Sequence, residues 1–289
     1  MEINRIRPDE HSFTQRLTDI ADAPKSLCYM GALPTDDAPV VAIVGTRKPT
    51  GYGKEVTQRL AYNLAKQGVI IVSGLALGVD GIAHRAALEA GGRTIGVVID
   101  ELPSLSPRSH TRLAHSMIDQ GGAILSEWGK GDGAPMAKWA FLRRNRLVSG
   151  LSDAVIITEA AARSGTLNTA AHALNQGREV FVVPGNITSP LSEGCNALLK
   201  QGATPVTSAQ DILEVIAPQL CRQSAQQPLP IGATPAETDI IRLLAAGVRS
   251  GDELQQRAKL TAADFATALT MLEMNGVVQP LGANQWRLK

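Results

Sequence analysis

The fold-determining stretch is VVAIVGTRKPTGYG, residues 40–53, in which an apolar run leads into a glycine-rich turn. The segment after it places Val56, Leu60 and Leu64 at helical spacing. A second apolar run, VIIVSG (69–74), follows that helical pattern. An apolar strand, an amphipathic helix and another apolar strand are typical of a parallel β-α-β unit.

The same alternation continues to residue 217 and predicts an α/β fold with a mainly parallel sheet. Strands that are apolar throughout are buried on both faces, so we expect helices on both sides of the sheet. Ligands bind such sheets at the carboxyl ends of the strands, where the glycine-bearing loops of this chain fall. The predicted strands are 40–45, 69–74, 94–99, 123–128, 154–159 and 179–185.

Three further segments flank the predicted domain of residues 40–217. Residues 1–39 are polar and interrupted by proline, and we interpret them as an N-terminal extension. Residues 218–235 are rich in proline and glutamine and predict a linker. Residues 236–289 contain three short helical patterns and a final hairpin pattern, an arrangement similar to a small winged-helix domain.

Composition restricts where the protein works and what it binds. The net charge is only +1, so any electrostatic binding site must be local. The three cysteines are far apart and form no disulfide or zinc framework, which favours a reducing compartment. The polar start predicts no signal peptide, and no apolar run reaches the roughly 18 residues of a membrane span. We therefore expect a cytoplasmic protein with no membrane partner.

The first loop, Gly45-Thr46-Arg47-Lys48, matches neither of the common phosphate-binding motifs. It lacks the GxxxxGK[ST] spacing of ATP-binding loops and the GxGxxG spacing of dinucleotide sites, so we predict no cofactor. It still offers glycine and two cations just before a helix N-terminus, which suits a phosphate. A plain turn with solvated charges is the alternative.

Two more loops have the same character. Ser73, Gly74 and Gly78 follow the second strand, where Asp80 is a candidate N-cap of the next helix. A third loop, built from Ser164, Gly165 and Thr166, begins the helix after the fifth strand. Several such loops on one sheet edge favour a chain of phosphates over a single mononucleotide.

A cluster of cations precedes the fifth strand. Phe141 lies beside guanidinium groups there, a combination of stacking and phosphate neutralisation that single-stranded nucleic acid uses. A solvated or salt-bridged helix face is the alternative. On a helix, the first and last arginines share a face and the middle one is turned by about 100°. The cluster comprises Phe141, Arg143, Arg144, Asn145 and Arg146.

Six blocks of the chain occur in the order VAIVGTRKPTGYG, SGLALGVDGIAHRAAL, GGRTIGVV, FLRRNRLVSGLSDAVIITEAAARSGTLNTA, GREVFVVPGNI and GCNALLKQGA. Over about residues 26–216, these blocks resemble the DprA/Smf family (DNA processing protein A). The resemblance implies an extended Rossmann-like domain that binds single-stranded DNA, forms a homodimer and loads the RecA recombinase onto DNA in natural transformation. It also implies a C-terminal winged-helix domain.

By position, the resemblance assigns DNA contacts to Arg47, to Arg108 and to the Phe141–Arg146 block. Three positions depart from the family pattern, namely Leu77 in place of a basic residue and Ser106 and His110 in the block around Arg108. Only about 25 residues precede the matching region, so we expect the N-terminal helical domain of many members to be missing.

Two other functions stay open. A nucleoside-monophosphate phosphoribohydrolase would need a glutamate after the GT of its PGGxGTxxE motif, but Leu167 to Ala170 include no carboxylate and Glu159 lies upstream. We therefore predict no catalytic residues and no enzyme activity. A nucleotide sensor would hold a small signal in the groove and pass it to the winged helix, whose expected recognition helix carries Asp264 and Glu273 but no basic residue.

Overall fold

The computed structural model describes residues 2–135, 138–220, 232–282 and 284–288. The chain divides into two units, residues 1–221 and residues 222–289. None of the helices in the described ranges has the length and hydropathy needed to cross a membrane.

The described strands of the first unit form one nine-stranded sheet in the order β1-β2-β6-β5-β4-β3-β7-β8-β9. Neighbours from β6 to β9 are parallel, whereas β2 pairs antiparallel with β6 and β1 pairs antiparallel with β2. The strands are β1 (Asn4–Ile6), β2 (Leu27–Gly31), β3 (Val40–Val44), β4 (Ile70–Ser73), β5 (Thr94–Val97), β6 (Ala123–Ser126), β7 (Ala154–Ile157), β8 (Glu179–Val182) and β9 (Thr204–Pro205).

Helices cover both faces of this sheet. Alternate residues of β3 belong to opposite cores: Val40, Ala42 and Val44 pack on one face, and Val41 and Ile43 on the other. The prediction of a mainly parallel sheet covered on both sides is confirmed. The helices are α1 (Ser12–Gln15), α2 (Gly51–Lys66), α3 (Val79–Glu89), α4 (Thr111–Asp119), α5 (Lys138–Gly150), α6 (Gly165–Asn175), α7 (Glu193–Lys200) and α8 (Ala209–Ile216).

The side of the sheet on which successive strands are added changes at β3. Strands β3 to β6 are added one after another on one side, and β7 then returns to the other side of β3, followed by β8 and β9. The two crossovers therefore diverge from the carboxyl ends of β3 and β7. Such a switch point leaves a crevice between the diverging loops, which is the usual ligand site of an open α/β sheet.

All six predicted strands are present, and each is shorter than its apolar run because the last residues enter loops. The sequence did not predict β1, β2 or the two-residue β9. Residues 1–39 add β1 and β2 to the sheet, with Leu27, Cys28 and Met30 buried in its cores. Short strands with mixed polarity give no clear alternation, which is why these were missed.

The second unit is a winged-helix fold, as the sequence predicts. A hairpin of β10 and β11 follows three helices around a small core that includes Ile240, Leu254 and Leu272. Most of the predicted linker, residues 221–231, lies outside the described residues. The elements are α9 (Pro235–Ala245), α10 (Gly251–Ala258), α11 (Ala262–Met274), β10 (Val278–Gly282) and β11 (Gln285–Leu288).

Candidate nucleic-acid interface

A cleft of about 540 Å³, here called the main cleft, opens at the switch point beyond the ends of β3, β4 and β7. Its wall consists of the loops after these three strands and the first turns of α5. Loops far apart in the sequence thus meet at one sheet edge, as the parallel topology requires. The predicted site residues that line it are Gly45, Thr46, Arg47, Gly74, Phe141, Arg144, Asn145, Ser164, Gly165 and Thr166.

The N-terminus of α6 forms one side of the main cleft. Ser164 is its N-cap, and the Ser164 hydroxyl accepts a hydrogen bond of 3.2 Å from the Thr166 amide. Asn145 donates from its side-chain nitrogen to the Gly165 carbonyl at 3.3 Å, which ties α5 to this turn. The positive end of the helix dipole thus faces a cleft that also holds guanidinium groups, a combination suited to an anion.

Arg47 and Phe141 form a stacked pair across the mouth of the main cleft. The Arg47 guanidinium lies over the Phe141 ring, 5.0 Å from its centroid, within the range of a cation–π interaction. Arg47 is exposed and Phe141 is half-buried, so the pair combines an accessible charge with an aromatic surface.

Arg144 is the arginine of the cluster that lines the main cleft. Its side chain is 7% exposed, and Nη1 donates to the Val97 carbonyl at the end of β5. A methyl group at Gly74 would overlap the guanidinium, so this close approach requires glycine at that position. Burial lowers the pKa of Arg144 from its usual value, and the nearby Asp80 carboxylate opposes that shift.

Asp80 is not the N-cap of α3, contrary to the prediction. The cap is Gly78, whose φ of 81° starts the helix earlier. The buried Asp80 carboxylate instead turns back to accept from the amides of Gly74 (3.1 Å) and Ala76 (3.3 Å). It thereby holds a turn in which Leu75 has a positive φ of 57°. Burial raises the pKa of Asp80, and Arg144 counteracts this.

Arg143 and Arg146 share a helix face, as their spacing predicts, but this face does not line the main cleft. Arg146 is 2% exposed and makes a 2.7 Å ion pair with Glu127. Arg143 pairs with Asp22 at 2.9 Å, and its hydrogen bond lowers the pKa of that carboxyl. The salt-bridged alternative therefore describes these two arginines, because carboxylates from distant segments already neutralise them.

The N-terminus of α2 is occupied by a side chain of the protein itself. Glu159, 2% exposed at the end of β7, accepts from the Thr50 amide at 2.9 Å and from the Thr50 hydroxyl at 2.5 Å. The phosphate position expected at this helix start is thus filled by a carboxylate. Gly53 makes this possible, since a methyl group there would collide with the carboxylate.

The remaining predicted site residues lie outside the lining of the main cleft. Ser73 is buried and donates from its hydroxyl to the Ile43 carbonyl at 2.6 Å. Gly78 packs against the backbone of the first loop. Lys48 is exposed on that loop, and Arg108 is exposed on a 3₁₀ turn (Arg108–His110).

Two of the three positions that depart from the family pattern, Leu77 and Ser106, line a smaller pocket beside the main cleft. This side pocket, about 190 Å³, shares Arg47, Phe141 and Arg144 with the main cleft and is lined on the far side by Leu77 and Ser106. His110 is buried instead, with its Nδ1 2.9 Å from the Leu75 carbonyl oxygen.

One lining residue, Arg163, was not included among the predicted contacts. It is exposed in the loop after β7, immediately before the Ser164 cap. Its position in the RSG sequence, directly before a predicted helix, is the feature of the sequence that could have indicated this contact. Arg47, Arg144 and Arg163 together give the main cleft three guanidinium groups.

The fold and the cleft define a class, namely a Rossmann-like domain with a basic switch-point cleft, joined to a winged-helix domain. Residues 4–217 match the family model described as DNA recombination-mediator protein A, and residues 223–284 match the DprA winged helix domain. The chain belongs to the DprA/Smf family.

Individual relatives and solved structures support the same family. Protein Smf of Escherichia coli (strain K12) is 38% identical over 98% of this chain and 77% of its own length. DNA processing protein DprA of Bacillus subtilis (strain 168) is 41% identical over 73% of this chain and 71% of its own length.

The structural neighbours include two solved DprA proteins. The X-ray structure of DprA from Streptococcus pneumoniae has a TM-score of 0.67 and 37% identity, covering 75% of each chain. The structure of DprA from Helicobacter pylori has a TM-score of 0.65 and 35% identity, covering 76% of this chain and 97% of the other. The latter is reported as a study of the single-stranded DNA binding mode of that protein.

Proposed function

We propose that this protein binds single-stranded DNA in the main cleft and acts as a recombination mediator. The observation that carries the proposal is that Arg47, Arg144 and the Ser164 turn line one cleft. Guanidinium groups and a helix N-terminus neutralise phosphates, while the face of Phe141 offers a surface for a base. The single-stranded DNA binding reported for the Helicobacter pylori relative supports the same assignment.

The proposed activity is binding and not catalysis. The one carboxylate that the hydrolase alternative could use, Glu159, is buried and accepts hydrogen bonds from Thr50, the N-cap of α2, through both of its oxygens. Asp80, a carboxylate in the lining of the main cleft, holds the turn after β4 through backbone amides. Both groups therefore have structural partners that account for their positions.

The recombinase partner and the dimer belong to the same proposal. We infer that the protein delivers single strands to RecA as a homodimer, in natural transformation or DNA processing, in line with the family's description as recombination mediators. A direct test follows RecA filament assembly on single-stranded DNA coated with single-strand-binding protein. The proposal predicts faster assembly with the wild type and slower assembly with Arg47→Ala.

The winged-helix unit is proposed to contact protein. Helix α11, the expected recognition helix, carries Asp264 and Glu273 and contains no arginine or lysine, so it would repel the DNA backbone. A separately expressed unit 232–289 is expected to bind neither single- nor double-stranded oligonucleotides.

Fluorescence anisotropy with labelled oligonucleotides tests the binding proposal. The wild type should bind single strands more tightly than duplexes, with low sequence preference, since phosphates and aromatic faces carry little sequence information. Arg47→Ala should weaken binding, and Arg85→Ala, which removes an exposed charge on α3 outside the cleft lining, should not. Tight binding of a mononucleotide with no affinity for oligonucleotides would overturn the proposal and favour the sensor function.

A further inference from the structure

A second cavity of about 400 Å³ lies at the same sheet edge, beyond the ends of β7 and β8. We call it the Tyr52 pocket. Its walls come from the first turn of α2, the end of β7 and the loop between β8 and α7. They include Thr50, Tyr52, Glu159, Pro184, Asn186 and Ser192.

The Tyr52 ring is held in place but remains accessible. Its hydroxyl donates to the Pro184 carbonyl at 2.8 Å, which fixes the ring against the loop after β8. The side chain is still 48% exposed, although large aromatic side chains are usually buried more deeply. A fixed and accessible aromatic ring is the element on which nucleic-acid bases stack.

The polar groups of this pocket differ in kind from those of the main cleft. Among the described residues that line it there is no arginine or lysine, and the buried Glu159 carboxylate supplies acceptor oxygens. A phosphate inside the pocket would be repelled by that carboxylate and would find no cation among the described lining residues. A flat heterocycle with N–H donors fits, because its face can stack on Tyr52 and its amino group can donate to an oxygen of the wall.

The loop of residues 46–50, here called the ridge, contributes to both cavities, with Thr46 and Arg47 in the lining of the main cleft and Thr50 in the lining of the Tyr52 pocket. The Thr46 amide donates to the Glu159 carbonyl at 2.9 Å, so the base of the ridge is tied to the end of β7. Arg47 and Lys48 lie exposed on the ridge.

We propose that the Tyr52 pocket receives a base of the same DNA strand whose backbone occupies the main cleft. The strand crosses the ridge with a phosphate near Lys48, and the base on the far side stacks on Tyr52. This inference rests on the proposed function, and it adds a base-binding subsite. It also gives Lys48, which lies outside the main cleft, a role in phosphate neutralisation.

The test combines a protein change with a change in the strand. Oligonucleotides carrying one abasic position, scanned along the strand, are titrated against the wild type, Tyr52→Ala and the control Tyr52→Phe, which keeps the ring. We expect one abasic position to weaken wild-type binding about tenfold and to have no effect on Tyr52→Ala. Tyr52→Phe keeps the ring but loses the hydroxyl bond to Pro184, so it should retain most of the abasic penalty.

A second readout uses 2-aminopurine at the position that the abasic scan identifies. Its fluorescence should be quenched on binding to the wild type and to Tyr52→Phe, and should stay unquenched with Tyr52→Ala. Equal abasic penalties in the wild type and Tyr52→Ala, or unchanged quenching, would overturn the subsite while leaving the main-cleft proposal intact. If the wild type binds no oligonucleotide, the proposed function itself fails.

Discussion

Replacing Arg47 by alanine tests whether the main cleft binds phosphates. Each phosphate contact on single-stranded DNA contributes about −0.7 to the slope of log K against log salt concentration. The three guanidinium groups of the main cleft therefore contribute about −2.1, and Arg47→Ala should reduce this to about −1.4. A fourfold rise in salt would then weaken variant binding about 2.6-fold less than wild-type binding.

The affinity itself should also fall. Loss of one charge-assisted contact weakens binding by about tenfold to a hundredfold at low salt. Anisotropy titrations of a short labelled strand at several salt concentrations measure both quantities. Arg143→Ala is the matched control, because this arginine pairs with Asp22 outside the cleft lining, and its slope should equal that of the wild type. An unchanged slope for Arg47→Ala, or equal changes for both variants, would refute the reasoning.

Three further predictions concern buried groups. Arg146→Ala should lower the free energy of unfolding by about 3 kcal/mol in urea, since it removes the close partner of Glu127 and leaves only the contact with Arg143 at 3.9 Å. A loss below about 1 kcal/mol would contradict the buried ion pair. Burial lowers the pKa of His84 to about 3, so it stays neutral in the folded state while the unfolded chain is protonated below about pH 6.5. Stability should therefore drop by about 2 kcal/mol from pH 7 to pH 5, and less in His84→Gln. Burial raises the pKa of Cys195 to about 11, so its thiol should stay protonated and unreactive at pH 8. Mass spectrometry should therefore find Cys195 unmodified by iodoacetamide, and rapid labelling would contradict the burial of this thiol.

The fold could be predicted where one residue pattern decided one element. The run VVAIV is buried on both faces in a parallel sheet, and its neighbours alternate with helices, so strands β3 to β8 followed from the sequence. Strand β2 pairs with β6, nearly a hundred residues away, and its burial depends on that partner. Such a long-range pairing leaves little local signal in a five-residue segment.

In the candidate site, too, the sequence predicted what local spacing decides and missed what depends on distant residues. Helical spacing correctly separated Arg144 from the face shared by Arg143 and Arg146. It could not show which face lines the main cleft, because Asp22 and Glu127 come from other parts of the chain. Glu159 likewise binds Thr50, the N-cap of α2, from more than a hundred residues away, so the phosphate position expected there could not be rejected from the sequence.

Cross-linking of a strand containing 5-iodouracil, followed by mass spectrometry of the joined peptides, tests the location of the DNA most directly. Adducts are expected at Phe141 and in the peptide that carries residues 163–166, and Arg47→Ala should reduce both. Adducts found only in residues 232–289, or on faces of the first unit away from the main cleft, would contradict the account.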